Sequence, residues 1–206
     1  MLPAADHDGS VRLGDVLRQA PVLPVLMRGL QCPFCRRNLA LLGPTRTKLQ
    51  AIGVETLAVV ATTPERARLY VKGGLVAIPL VADPDMATHR AYGVPCYPTT
   101  PELRQELRMT RVDPFGELPE PVPFLAPDGT EIHDVFDRLD GFVPTAVDQG
   151  DRTRQFRQAV QLCAQYLVDR SGIVRWVRIE GQPGGLAAAG RFPSEQGLLA
   201  AARGLG

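Results

Sequence analysis

Residues 27–39, MRGLQCPFCRRNL, set two thiols, Cys32 and Cys35, three positions apart. A thiol attacks only as thiolate, and a helix N-terminus stabilises that anion with unpaired backbone N–H groups and a positive dipole end. If a helix starts at Pro33, Cys32 is the attacking sulfur and Cys35, one turn inside, is placed to resolve a mixed disulfide on Cys32. Arg28, four residues upstream, adds a positive charge, while Pro33 and Phe34 stiffen and shield the junction. Two other readings compete: half of a metal site, and a buried pair without chemistry. A zinc ribbon normally needs a second CxxC or a His pair, and the chain contains neither.

The elements around the pair support exchange chemistry. PVLPVLM is apolar and β-prone; because Pro24 cannot donate to a ladder, the strand is expected over residues 25–28. From Pro33 the apolar positions Leu39, Leu42, Leu49 and Ile52 keep helical spacing, with a kink or break expected at Pro44. VETLAVVA reads as a buried strand. TTPERARLYVKGG reads as a helix capped by Thr63, with Pro64 in its first turn and Gly73 as its stop. A strand near residues 78–82 and a helix from Pro84, capped by Asp83, repeat the plan. Strands alternating with helices imply parallel pairing and an α/β sandwich.

From about residue 93 to 153, nine prolines interrupt this plan. The segment reads as an insertion covering one edge, with a short helix, PELRQELRM, capped by Thr100. Regular structure returns with a helix expected to end before Leu162, a hairpin QYLVD–DRSG–IVRWVRI, and a last helix capped by Ser194.

The chain has 206 residues and 45% apolar content, enough for one sizeable core, so residues 1–206 are expected to form a single domain. A formal net charge of +1 gives no general attraction to nucleic acid or anionic membranes. No apolar run is long enough to span a bilayer, and the start lacks a basic segment followed by an apolar one, so a cytoplasmic protein is expected. Four cysteines are too few and too scattered for a disulfide scaffold. No Gly-rich stretch has P-loop or Rossmann spacing, and no cofactor is expected.

RGLQCPFCRRNLALL resembles the active-site segment of thioredoxin-fold, peroxiredoxin-like redoxins of the alkyl hydroperoxide reductase and thiol-specific antioxidant (AhpC/TSA) family, and CPFC also resembles a glutaredoxin motif. PLVADPDMATHRAYGVP is similar to a second segment of that family, and QYLVDRSGIVRWV to its late hairpin. The resemblance implies a thioredoxin-like three-layer sandwich with the Pro-rich insertion before the late hairpin. It also implies an oxidoreductase whose partners are a small-molecule or protein disulfide, or a hydroperoxide, and an external thiol reductant. Peroxiredoxins place a threonine or serine three residues before the attacking cysteine and a proline seven before it; here stand Gly29 and Val25. That departure favours thiol-disulfide exchange over the alternative, a peroxidase using the same thiols.

In the late hairpin the resemblance sets Cys163 where thioredoxins carry a cis-proline and peroxiredoxins an arginine. Cys163 is either a small buried residue or a third thiol near Cys32, nearer than Cys96. In the latter case a metal- or cluster-binding module using Cys32, Cys35 and Cys163 is a further alternative, with His133, Cys96 or an outside thiol as fourth ligand; no stoichiometric metal is expected. His89 is expected on an exposed helix face. His133 lies in the irregular insertion without ligand or triad spacing, Cys96 reads as half-buried and inert, and Trp176 as packing.

Overall fold

A computed structural model of the chain describes residues 1–74, 76–145, 148, 152 and 159–205. Its elements begin with a small hairpin, β1 (Leu2–Pro3) and β2 (Ser10–Val11), then α1 (Leu13–Leu17), β3 (Val22–Met27), α2 (Pro33–Ala51), β4 (Glu55–Val60), α3 (Pro64–Lys72), β5 (Leu80–Ala82) and α4 (Ala87–Ala91). The Pro-rich segment contributes β6 (Cys96–Pro98), α5 (Pro101–Met109), β7 (Arg111–Val112), β8 (Val122–Pro123) and α6 (Ile132–Asp140). The chain returns through β9 (Ala159–Gln161), β10 (Ala164–Val168), β11 (Val174–Ile179), a 3₁₀ turn at Gly185–Ala188, and α7 (Glu195–Arg203).

The central sheet has the order β11-β10-β3-β4-β5, with β3, β4 and β5 parallel and β10 antiparallel to both β3 and β11. Every residue of β3 is buried, which is why its sequence is a continuous apolar run. Side-chain alternation sends Leu23, Val25 and Met27 to one face and Val22 and Leu26 to the other. The first face is covered by α2, α3, α6 and α7 through Leu39, Leu49, Ala67, Phe136 and Leu198. The second is covered by α1, the N-terminal hairpin and Tyr92. The result is the three-layer, thioredoxin-like α/β arrangement expected from the sequence.

Several boundaries differ. β3 starts at Val22 and runs through Pro24, which pairs in register with Leu57 of β4; on its other side the ladder to β10 skips residues 23 and 24. Interrupting one ladder accommodates the missing N–H. Helix α2 does not break at Pro44 but continues to Ala51, because Leu39, Leu42 and Leu49 on either side of the proline are all buried in the same core; the Thr45 hydroxyl bonds the Leu41 carbonyl there. Asp83 does cap α4, accepting from the Ala87 and Thr88 N–H groups, but the helix begins only at Ala87. Residues 159–161 form strand β9, paired with β6, where the end of a helix was expected; the preceding residues 153–158 lie outside the described ones. His89 is fully buried rather than exposed. The helix α6 was not foreseen, although Glu131 and Asp134 form a reciprocal capping box and Gly141 closes the helix with a positive φ.

Candidate functional site

The loop between β3 and α2 is held by its own carbonyls. Arg152 donates two hydrogen bonds to the Gln31 carbonyl (2.9 and 2.8 Å), and Arg36 and Tyr70 donate to that of Leu30 (3.1 and 3.3 Å). Cys32 follows as N-cap of α2, in extended conformation, with its carbonyl accepting from Arg36 N at 3.1 Å and with Pro33 in the first turn. The dithiol therefore sits at the strand-to-helix junction that its sequence context predicts. Phe34 does not cover the sulfurs alone. Its ring meets those of Phe136 (5.4 Å between centroids), His133 (5.5 Å) and Phe115 (6.0 Å), all from the Pro-rich segment.

Cys163, in the junction between β9 and β10, reaches the same place: its sulfur lies 3.6 Å from that of Cys35. All four cysteines are free, and Cys32, Cys35 and Cys163 are each at most 1% exposed. Cys96 stands apart, exposed on β6 rather than half-buried. Among the described residues, no group of three or more His, Cys, Asp or Glu side chains is arranged to hold a metal ion.

Two basic side chains address these sulfurs. Arg28 donates to Glu180 (2.5 Å) and to the Gln161 carbonyl (3.1 Å), deep in the protein. Burial opposes its charge, but Glu180 and negative charge on Cys32, Cys163 or Cys35 outweigh this and hold the guanidinium well above its ordinary range. Glu180 in turn accepts from the Cys163 N–H (3.0 Å) and the Gly190 N–H (2.7 Å), so one carboxylate fixes the Arg28 head and the Cys163 backbone. The second group is His133, 1% exposed on α6 and in hydrogen-bonding reach of Cys32. Burial works against its protonation, yet Cys32 and Glu131, whose carboxylate is 3.7 Å from Nδ1, raise its pKa above the ordinary imidazole value. Burial pushes the Cys32 thiol up to about 12, Cys35 adding to the rise while Arg28 and His133 pull against it. Cys35 is also driven upward, first by burial and then by Cys163. As folded and reduced, the site holds Cys32 and Cys35 as thiols beside the Arg28 guanidinium and the His133 imidazole.

Gly29 occupies the position where the family resemblance implies a threonine or serine. Its φ is +152°, and a Cβ there would lie 2.3 to 2.6 Å from the Gln31 side-chain amide. A side chain there is strained by the backbone conformation, and the Gln31 amide would have to move aside for it.

Sequence reasoning placed Cys32, Cys35, Arg28, Pro33 and Phe34 at the junction and left Cys163 open between a small buried residue and a third thiol nearby; the structure puts it 3.6 Å from Cys35. It missed Glu180 and the approach of His133 to Cys32. The signal for His133 was present in the capping box and in Ile132, Phe136 and Leu139, spaced along one helix face but hidden among prolines. For Glu180, 152 residues from Arg28, the sequence carries no local signal.

A model of the AhpC/TSA family matches residues 1–116. Among curated proteins no relative matches. Three solved structures show the same fold. Peroxidoxin BcpB from Mycobacterium tuberculosis is 12% identical, with 100% of this chain and 92% of that one covered, at a TM-score of 0.56. Peroxiredoxin Q from Xanthomonas campestris is 12% identical over 98% and 89%, at 0.56. The reduced 2-Cys peroxiredoxin from Plasmodium vivax is 14% identical over 99% and 90%, also at 0.56.

Proposed function

For a chain that belongs to the AhpC/TSA family and is therefore an enzyme of redoxin-type thiol chemistry, we propose thiol-disulfide exchange with Cys32 as nucleophile and Cys35 as resolving thiol. The observation that carries this choice is Gly29: the position from which a hydroxyl would hold a peroxide has no side chain and a backbone conformation that L side chains rarely adopt. In this reading His133 takes the Cys32 proton and Arg28 stabilises the thiolate. That thiolate attacks a disulfide, expelling one thiol and leaving a mixed disulfide on Cys32. Cys35 then attacks the Cys32 sulfur, releases the second thiol and closes a Cys32–Cys35 disulfide, which an external thiol reductant reopens. The near-complete burial of both sulfurs favours a small disulfide over a folded protein as oxidant. Residues 93–153 belong to the same domain in this reading, because Leu107, Phe124 and Phe136 share one buried cluster with Leu23 and Leu39.

Family membership favours a second reading, in which the same thiols reduce a hydroperoxide. Stopped-flow oxidation of the reduced protein by hydrogen peroxide, set beside oxidation by hydroxyethyl disulfide, separates the two. Exchange predicts the disulfide to be the faster oxidant, with a mixed disulfide accumulating in Cys35→Ser. Fast reaction with peroxide alone would replace exchange by peroxidase action.

A further inference from the structure

We propose that Cys163 is a third redox-active thiol that takes over Cys35 from Cys32, so that the site runs a three-sulfur relay. The proposal rests on the exchange reading above and extends it. The sulfurs of Cys163 and Cys35 are 3.6 Å apart in the reduced protein, and a disulfide of about 2.05 Å is reached by closing about 1.5 Å, within the range of a side-chain rotation. The backbone of Cys163 is fixed for this. Its N–H bonds Glu180 Oε2 at 3.0 Å, and its carbonyl accepts from the Glu180 N–H at 2.9 Å. A small inert residue would fill the same space, but a sulfur in contact with the resolving sulfur, beside a guanidinium whose field reaches all three thiols, is equipped for exchange.

The step conserves atoms and electrons. Once Cys32–Cys35 has formed, the Cys163 thiol gives its proton to the medium as its sulfur attacks Cys35; the Cys35–Cys163 bond forms, the Cys32–Cys35 bond breaks, and Cys32 leaves with the electron pair and takes back the proton that His133 accepted from it in the first step. No net oxidation occurs, because the disulfide moves from Cys32–Cys35 to Cys35–Cys163 and Cys32 returns to its thiol form. The protein thereby stores one oxidation on Cys35 and Cys163 while the nucleophile is free again.

Disulfide mapping tests this. Reduced full-length protein is oxidised with hydroxyethyl disulfide, quenched in acid, alkylated and cleaved after arginine. Cys32 and Cys35 then share the peptide 29–36, and Cys163 lies on 158–170. The relay predicts two oxidised species, a 29–36 peptide closed on itself and a 29–36 peptide joined to 158–170. The joined species is lost in Cys163→Ser, where the closed peptide becomes the whole of the oxidised protein, and in Cys32→Ser, which lacks the entry sulfur, it forms far more slowly than in the wild type. Wild-type protein that yields only the closed peptide, at the same rate as Cys163→Ser, overturns the relay and leaves the exchange reading standing. Wild-type protein in which 29–36 is not oxidised at all overturns both.

Discussion

Helix α2 begins at Cys32-Pro33 and helix α3 at Thr63-Pro64, each with an extended N-cap residue and a proline in the first turn, yet only Thr63 closes its helix end with a side-chain bond, to Arg66 N. Thr100 and Ser194 cap α5 and α7 in the same way as Thr63. At α2 the place where stability favours a hydroxyl is held by a sulfur that makes no cap bond. The surroundings differ accordingly. The start of α3 is a surface turn, whereas that of α2 is enclosed by Arg28, His133 and two further thiols. At α3, α5 and α7 a hydroxyl satisfies a helix N–H; at α2 no side chain does, and the helix end lies beside the Cys32 sulfur.

The sharpest way to break this comparison is Cys32→Ser. Disulfide exchange should fall at least about a thousandfold, roughly 4 kcal/mol of barrier, while stability in urea rises by about 1 kcal/mol because the hydroxyl supplies the missing cap. Equal loss of both would mean that Cys32 is a packing residue. Glu180→Ala tests the charged support behind the sulfurs, which α3 lacks. With Arg28 deprived of its carboxylate, unfolding free energy should drop by about 3–5 kcal/mol. A drop below about 1 kcal/mol in urea titration would show that the pair is dispensable.

The two buried histidines extend the contrast. His89, fully buried on α4, has its pKa lowered from 6.5 to about 4 by burial, Asp83 only partly offsetting this, whereas His133 beside Cys32 is raised. A group with a depressed folded pKa contributes stability that is present above its unfolded pKa and lost as pH falls through the folded one. Stability should therefore decline from pH 6.5 through 4 by about 3 kcal/mol, and His89→Leu should flatten that decline in acid titrations followed by circular dichroism. A raised folded pKa contributes stability that is full below the unfolded value and lost as pH rises through the folded one, so His133→Gln should lower acid stability where His89→Leu raises it, and should slow alkylation of Cys32 at pH 8 by about a hundredfold, as removal of a proton acceptor does. An unchanged alkylation rate would remove His133 from the mechanism. The smallest effect belongs to the ordinary helix end: Thr63→Ala should cost about 1 kcal/mol and leave the exchange rate as it was.

How much of this was legible in the chain differs from element to element. The βα repeat, the dithiol at a junction and the caps Thr63, Thr100 and Ser194 follow from periodicity and local chemistry, because a strand's burial and a helix's end are decided within a few residues. The failures at Pro24 and Pro44 share one cause. Local rules price a proline against a lone strand or helix, but a strand buried on both faces, and a helix with three buried leucines, offset that cost through packing.

By itself the sequence determined an α/β sandwich with a pair of thiols at the start of its first long helix, α2. Only the tertiary structure decided what stands around them. Cys163 meets Cys35 because β10 pairs antiparallel to β3, with Ala164 opposite Leu26; Glu180 meets Arg28 because β11 pairs beside β10. His133 meets Cys32 because Phe136 and Ile132 bury α6 in the same core cluster as α2. These are long-range pairings, made by sheet register and by apolar faces seeking cover, and no spacing along the chain encodes them.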